Sequence, residues 1–335
     1  MSNVIVQDRP EASPSPSFRA RLMHLLSLPA VGPLLALLLA SAFFTWRTDK
    51  FLTGHNLSLI VQQVVVVGTL AIGQTLVILT AGIDLSNGMV MALSSVVMTS
   101  FAVDYGMNPV LAIVLGLVLA VVFGLVNGAL VALVRLPPFI VTLGTLNIAF
   151  AITRIYTSTT ITDLPPMITA LGNTFAVGKT AITYGSVLML VLFVVIWFVL
   201  RETAWGRHVF AVGNNPEATR LAGISTTRLL ISVYTLAALI YGIAGLLLVA
   251  RTGVGDPQAG QTSNLDSITA VVLGGTSLFG GRGNILGTLI GALIVGVFRN
   301  GLQLIGIPSI YQVLITGILV ILAVSVDQLS HKGQA

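Results

Sequence analysis

The sequence predicts an all-α polytopic membrane protein of about ten transmembrane helices with both termini on the cytoplasmic side. Three observations carry that prediction. Of 335 residues, 55% are hydrophobic and only 8% are charged, about a third of the charged share usual in soluble domains. The apolar residues gather into runs near the roughly 20 residues that a membrane-crossing helix needs. The basic residues stand singly between those runs rather than in patches. A charge content of this order cannot cover a water-facing surface, so lipid takes the place of water over most of the outside.

Taken in chain order, residues 1–28 are polar, with Pro10, Pro14 and Pro16 among serines, then Arg19 and Arg21. They read as a disordered cytoplasmic tail. Ala40-Ser41-Ala42 imitates a signal-peptidase site, but the polar stretch before it is long and the apolar run starts late, so the first span reads as uncleaved. Apolar runs then fall near 30–46, 57–80, 86–103, 109–134, 138–157, 182–200, 227–250, 265–281, 285–305 and 308–326. Together 29–327 make one transmembrane domain, and 328–335 form a second cytoplasmic tail. Orientation follows the Lys and Arg bias of short loops. With the N-terminus inside, ten basic residues (Arg9, Arg19, Arg21, Arg135, Arg201, Arg207, Arg220, Arg228, Arg282, Lys332) lie on the inner side and six (Arg47, Lys50, Arg154, Lys179, Arg251, Arg299) on the outer. Two connections are long: an outer Thr- and Pro-rich loop at 158–181, and a cytoplasmic loop at 201–226 bounded by basic residues.

Several chemistries are excluded or disfavoured. The chain has no cysteine, which rules out disulfides, thiol nucleophiles and Cys-ligated metals. The net charge of +5 is scattered, which argues against nucleic acid as a partner. No G-x-x-x-x-G-K-[ST] string occurs, so ATP is not bound through a P-loop, and H-E-x-x-H, G-x-S-x-G and G-x-G-x-x-G are also missing. Gly253-Val254-Gly255-Asp256 imitates the GxGD string of intramembrane aspartyl proteases. That chemistry needs a second aspartate sharing a proton, whereas Asp256 precedes Pro257 near Arg251 and reads as an outer turn.

Polar residues inside the runs are informative because lipid offers them no partner. Gln62, Gln63, Gln74, Asn127, Thr142, Thr145, Asn147, Gln303 and Gln312 are neutral, which suits a neutral polyhydroxylated solute; each alone also suits an interhelical hydrogen bond. Thr80-Ala81-Gly82-Ile83-Asp84-Leu85-Ser86-Asn87-Gly88 places a carboxylate, a hydroxyl and an amide between two apolar runs. Two readings stand: a turn in which Ser86 caps the next helix with Asp84 at its positive end, or a broken helix beside a permeation path. Gly82–Gly88 and Gly275–Gly281 share a GxxLxxG pattern, one in each half, as internally duplicated transporters do. Gly124-x-x-x-Gly128 and Gly287-x-x-x-Gly291 read as close-packing stripes.

In the 201–226 loop, Asn215 suits an N-cap and Pro216 the first helical position. Glu217 complements the helix start, and Gly223 suits a left-handed stop. The result is a helix of about two turns, Pro216 to Ala222, offering Ala218, Leu221 and Ala222 to a groove on another protein or to lipid headgroups. Here a resemblance enters. Gly213-Asn214-Asn215-Pro216-Glu217-Ala218-Thr219-Arg220-Leu221-Ala222-Gly223-Ile224 resembles the coupling-helix region of monosaccharide ABC importer permeases of the ribose/fructose/xylose type. Leu79-Thr80-Ala81-Gly82-Ile83-Asp84-Leu85-Ser86 is similar to that family's G-G-I-D-L-S segment, with Ala81 in place of the first glycine and Asn87 where Val is usual. Asn127-Gly128 followed by Pro137-Pro138-Phe139-Ile140-Val141-Thr142-Leu143-Gly144-Thr145 resembles its P-x-F-I-x-T-L-G-T segment. Ala270 to Gly283 matches its glycine-rich C-terminal segment. The resemblance covers residues 35–327 and leans towards fructose-type members.

The resemblance implies an ABC importer permease fold in the bacterial inner membrane, importing a monosaccharide by alternating access. It implies no cofactor on this chain, ATP being used by a cytoplasmic ABC ATPase. A periplasmic sugar-binding protein and a second, identical permease subunit are the other implied partners, with membrane lipid around them. Gly213, Asn214, Asn215, Pro216, Glu217, Ala218, Leu221 and Gly223 would couple to the ATPase. Gln74, Asp84, Asn87, Asn127, Phe139, Thr142 and Thr145 would line the path. A permease for branched-chain amino acids or another small solute, and a stand-alone facilitator or ion-coupled carrier, remain as alternatives.

Overall fold

The computed structural model describes residues 31–332; the expected tail at 1–28 lies outside them. The chain is a helical bundle. Its elements are α1 (Val31–Arg47), α2 (Gly54–Leu79), α3 (Asn87–Val103), α4 (Pro109–Ala132), α5 (Pro138–Tyr156), a single turn α6 (Pro166–Thr169), β1 (Thr174–Val177) and β2 (Thr180–Thr183). There follow α7 (Tyr184–Glu202), α8 (Ala204–Asn214), α9 (Pro216–Leu221), α10 (Thr226–Thr252), α11 (Ser263–Leu273), α12 (Ile285–Leu304) and α13 (Ser309–Lys332).

Among the described residues six helices, α2, α4, α5, α7, α10 and α12, are long and apolar enough to cross a membrane. Helices α1 and α3 are apolar but 17 residues long. The run expected to span at 265–281 does not: α11 stops at Leu273 after 11 residues, about 16 Å of rise against a hydrocarbon core of about 30 Å. Helix α13 runs to Lys332, so residues 328–332 of the expected cytoplasmic tail are helical, and 333–335 lie outside the described residues. The outer loop 158–181 also carries structure, a one-turn helix and an antiparallel hairpin pairing Thr174 with Thr183 and Val177 with Thr180. That hairpin sits on the start of α2, where Ser58 Oγ donates to the Ala181 carbonyl.

Burial explains which helices sit where. Helix α2 is apolar all round and buried over most of its length, which marks it as the central helix. Helices α4, α5 and α7 bury one narrow stripe and leave residues such as Leu111, Val118, Ile148, Val191 and Val194 exposed, the outward face that lipid covers. The small-residue stripes do close packing. A Cβ at Gly124 or Gly128 would meet the backbone of α10 near Tyr234 and Ile231, and one at Gly287 or Gly291 would meet the carbonyls of Gly274 and Ala270.

The paired GxxLxxG segments end their preceding helices alike. After α2, Gly82 N donates to Val77 O, and after α11, Thr276 N donates to Val271 O; the residue before each is left-handed, Ala81 at φ 60° and Gly275 at φ 83°. This is the Schellman stop, which favours glycine because a Cβ costs roughly 1–2 kcal/mol in that conformation. The chain accepts that strain at Ala81. Replacing Ala81 by glycine is expected to stabilise the protein by about 1 kcal/mol, less the added freedom of the unfolded chain. A thermal unfolding midpoint equal to or below that of the parent would contradict it.

Candidate functional site

The loop after α7 builds as its residues dictate. Thr203 Oγ1 accepts from Gly206 N at 3.1 Å to start α8, and Trp205 Nε1 donates to Ser232 Oγ at 2.8 Å, tying α8 to α10. Asn215 leaves helical geometry (φ −156°, ψ 97°) and its Oδ1 accepts from Ala218 N at 2.9 Å. Pro216 takes the first position of α9, and Gly223 closes the turn at φ 84°. Glu217 and Arg220 form a two-pronged pair at 2.6 and 3.2 Å. That guanidinium holds the Glu217 carboxyl below the usual carboxylate range. Both groups are exposed, so water screens the pair. Thr219 turns inward, whereas Ala218, Leu221 and Ala222 face outward, Leu221 being 75% exposed. Leu221 is thus a large apolar side chain that this chain's own core does not cover.

Gly213 and Asn214 lie differently. Gly213 is buried, and a Cβ there would collide with the Leu79 carbonyl oxygen and press on Gly281 N. Gly281 N in turn donates to Leu79 O at 3.0 Å, and Gly280 packs on Ala81. The last turn of α8 is thus wedged between the end of α2 and the end of the second GxxLxxG segment, one from each half of the chain. Sequence reading singled out these three stretches separately; the fold brings them together.

The polar residues expected along a path form a closed cluster. Asn87 Nδ2 donates to Gln74 Oε1 at 2.9 Å and to Ser267 Oγ at 2.8 Å, joining α2, α3 and α11. With its amide turned over, Gln74 pairs instead with the Asp84 backbone, donating to its carbonyl at 2.9 Å; both orientations keep it in the cluster. Asp84 Oδ1 accepts from Ser86 N and Ser86 Oγ at 2.8 and 2.6 Å. Ser86 therefore does not cap α3 with its side chain, as expected from sequence; its hydroxyl is taken by the carboxylate. Asn127 Nδ2 donates to Ser86 Oγ at 3.1 Å, and Thr142 Oγ1 to Ile83 O at 3.0 Å. The Tyr241 hydroxyl lies close to Asp84 without meeting hydrogen-bond geometry, and among the described residues Asn87 Oδ1, Asn127 Oδ1 and Tyr234 Oη also lack a partner. Thr145 is buried and bonded within its own helix, while Phe139 points out, 52% exposed.

An open cavity lies elsewhere. A space of about 380 Å³ is lined by Gln63, Val66 and Val67 of α2, Met91 of α3, Leu248, Arg251 and Thr252 of α10, Val254, Asp256, Ala259 and Gly260 of the following loop, Ser263 of α11 and Arg299 of α12. That loop does turn at Asp256, whose carbonyl accepts from Ala259 N at 3.1 Å, but it also runs inward along α3: a Cβ at Gly255 would meet Thr99, and five residues later Gly260 abuts Gly88, contacts about 16 Å apart along α3. The short α11 starts from its foot. Arg299, read as an orientation signal, lies within α12 and pairs with Asp266 of α11 at 2.8 Å, the aspartate 2% exposed. Residues 266 and 299 are distant in sequence, and only the antiparallel α11–α12 packing reveals the pair.

Comparison with known proteins follows from this geometry. Residues 56–324 match the family described as branched-chain amino acid transport system / permease component. The chain is 48% identical to the fructose import permease protein FrcC of Rhizobium meliloti, over 94% of this chain and 90% of that protein. It is 42% identical to the ribose import permease protein RbsC of Bacillus subtilis, covering 89% and 92%. It is 31% identical to the xylose transport system permease protein XylH of Escherichia coli, covering 92% and 93%. No solved structure matches the chain.

Proposed function

We propose a function from one premise: the chain belongs to the family of branched-chain amino acid transport system permease components. It is the multi-pass, membrane-spanning permease of an ATP-binding-cassette importer in a bacterial inner membrane, and it carries a monosaccharide inward. The observation that carries this reading is the short helix α9, whose Ala218, Leu221 and Ala222 face outward while its root at Gly213 presses on both halves of the bundle. Such a helix is a lever. An ATPase that grips α9 and closes on nucleotide would push α8 against Leu79 and Gly281, and through them shift the starts of α3 and α12. The GxxxxGK[ST] nucleotide cradle is missing from the sequence, so ATP is spent on a partner chain.

The supply of solute falls to a binding protein outside, and a second copy of the subunit supplies the other wall of the path. The buried groups at Gln74, Asn87, Asn127, Thr142 and Thr145 exchange partners as the path opens, and as neutral amides and hydroxyls they do so without stranding a charge; the Asp84 carboxylate among them keeps its bonds from Ser86. Phe139, already outward, lies on a face that a neighbouring copy would cover. Sugars are favoured over branched-chain amino acids because the matched relatives are named fructose, ribose and xylose permeases. An amino acid zwitterion would also bring two charges into this largely neutral cluster.

Expression of the chain with its candidate ATPase and binding protein tests this. Stable co-purification and ATP-dependent uptake of one of fructose, ribose or xylose are expected, with no uptake by the chain alone in liposomes. Uptake of leucine but no sugar, or ATP-independent uptake by the isolated chain, would overturn it.

A further inference from the structure

The cavity beside the inward-diving loop is not part of the polar cluster just described, and its chemistry is different. Three ionisable side chains reach it, Arg251, Asp256 and Arg299, together with Gln63 and Ser263. Ionised groups within a lipid-embedded bundle are costly and mark solute or ion pathways. Arg299 is answered by Asp266 at 2.8 Å. Arg251 makes no ion pair or side-chain hydrogen bond among the described residues, and Asp256 accepts only from its local Gln258 N at 2.8 Å. A guanidinium and a carboxylate, both left with bonding capacity, therefore face one space. Val66, Val67 and Met91 form its apolar wall.

We propose that this cavity is a binding subsite for a single neutral monosaccharide, with Arg251, Asp256 and Ser263 taking its hydroxyls and Met91 with Val66 its apolar ring face. The inference rests on the sugar-importer reading and deepens it. Each sugar hydroxyl both donates and accepts, so it suits a cavity lined by donor-only arginines and an acceptor-only aspartate. The volume of about 380 Å³ lies at the small end of ligand sites, which run from about 300 to 1,000 Å³; this favours one ring over a disaccharide. With Asp266 counted against Arg299, the charges around the cavity balance, which favours a neutral solute over a sugar acid. The cavity also lies at the outer ends of α10 and α12, the end opposite α9, where solute released by a binding protein would arrive. Backbone closeness at Gly88 and Gly260 leaves the loop's foot firmly seated, so the subsite has a rigid floor.

The cysteine-free chain makes the test direct. In the complete importer in proteoliposomes, Ser263→Cys is expected to react with a membrane-impermeant maleimide added outside. Binding protein loaded with the transported sugar should slow that reaction at least threefold; absence of labelling, or labelling that loaded binding protein leaves unchanged, overturns the subsite. Asp256→Asn and Arg251→Gln should each lower maximal uptake at least tenfold, while Lys179→Ala, on the hairpin, transports as the parent does. Uptake by both cavity variants within twofold of the parent also overturns the subsite. Protection by gluconate but by none of the neutral sugars overturns its neutral-solute chemistry. A parent importer that takes up no sugar at all sinks the importer reading itself, which keeps the two failures apart.

Discussion

Replacing Leu221 by glutamate is expected to reduce sugar uptake at least tenfold and to release the ATPase during purification, while the permease itself melts as before. Leu221 is 75% exposed and lies on a helix of six residues, so its loss removes almost no packing; surface changes of this kind stay within about 0.5 kcal/mol. An apolar anchor seated in a partner's pocket is another matter, since truncating such an anchor commonly costs 2 kcal/mol or more of binding. Inserting a charge adds its desolvation. At about 1.4 kcal/mol per tenfold, the loss of affinity reaches ten- to a hundredfold. Ala218→Glu, on the same outward face, should do the same. Glu217→Gln should do much less, because its pair with Arg220 is exposed on both sides and such pairs are worth little. Uptake that survives both Leu221→Glu and Ala218→Glu would remove α9 from the coupling role.

Much of the bundle was legible because membrane helices obey one rule of length and polarity. The ends of α2, α4, α7 and α10 fall within about three residues of the apolar runs, since the polar loops between them are abrupt. The exception, α11, teaches the limit. Its run continues in composition through Gly274 and Gly275, and nothing apolar ends at Leu273; the helix ends because Gly275 turns left-handed and Gly274 packs against Gly287. Glycine signals either close helix packing or a stop, and one sequence does not say which. The cavity was hidden for a related reason. Asp256-Pro257 has the composition of a surface turn, and only its neighbours Gly88 and Thr99 reveal that the segment runs inward. Conversely, α9 could be read residue by residue, because capping chemistry is local: Asn215, Pro216 and Gly223 each do what their side chains or lack of one favour. The polar cluster sits between these cases. Gln74, Asn87 and Asn127 stand out as polar in apolar runs, yet their partners Ser267 and Ser86 depend on helix packing and were not deducible.

The largest effect on the fold is expected at Gly213. Gly213→Val should lower the unfolding midpoint by roughly 5–10 °C and abolish uptake, even in the fraction that reaches the membrane. The new Cβ would fall on the Leu79 carbonyl and against Gly281 N, and both obstacles are backbone, which cannot rotate away as a side chain can. Overpacking of this kind costs about 1–3 kcal/mol or more, and each kcal/mol moves the midpoint by roughly 2–4 °C in a large domain. Relief requires α8 to withdraw, which separates α9 from the Leu79 and Gly281 loops that it is meant to push. The same contact thus serves stability and force transmission. A milder variant tells the two apart: Gly213→Ala should cost less stability, leave ATPase binding intact through the untouched α9 face, and still lower the uptake obtained per ATP hydrolysed. If Gly213→Ala keeps full coupling while its stability falls, the wedge at Gly213 holds the bundle together but does not transmit the stroke.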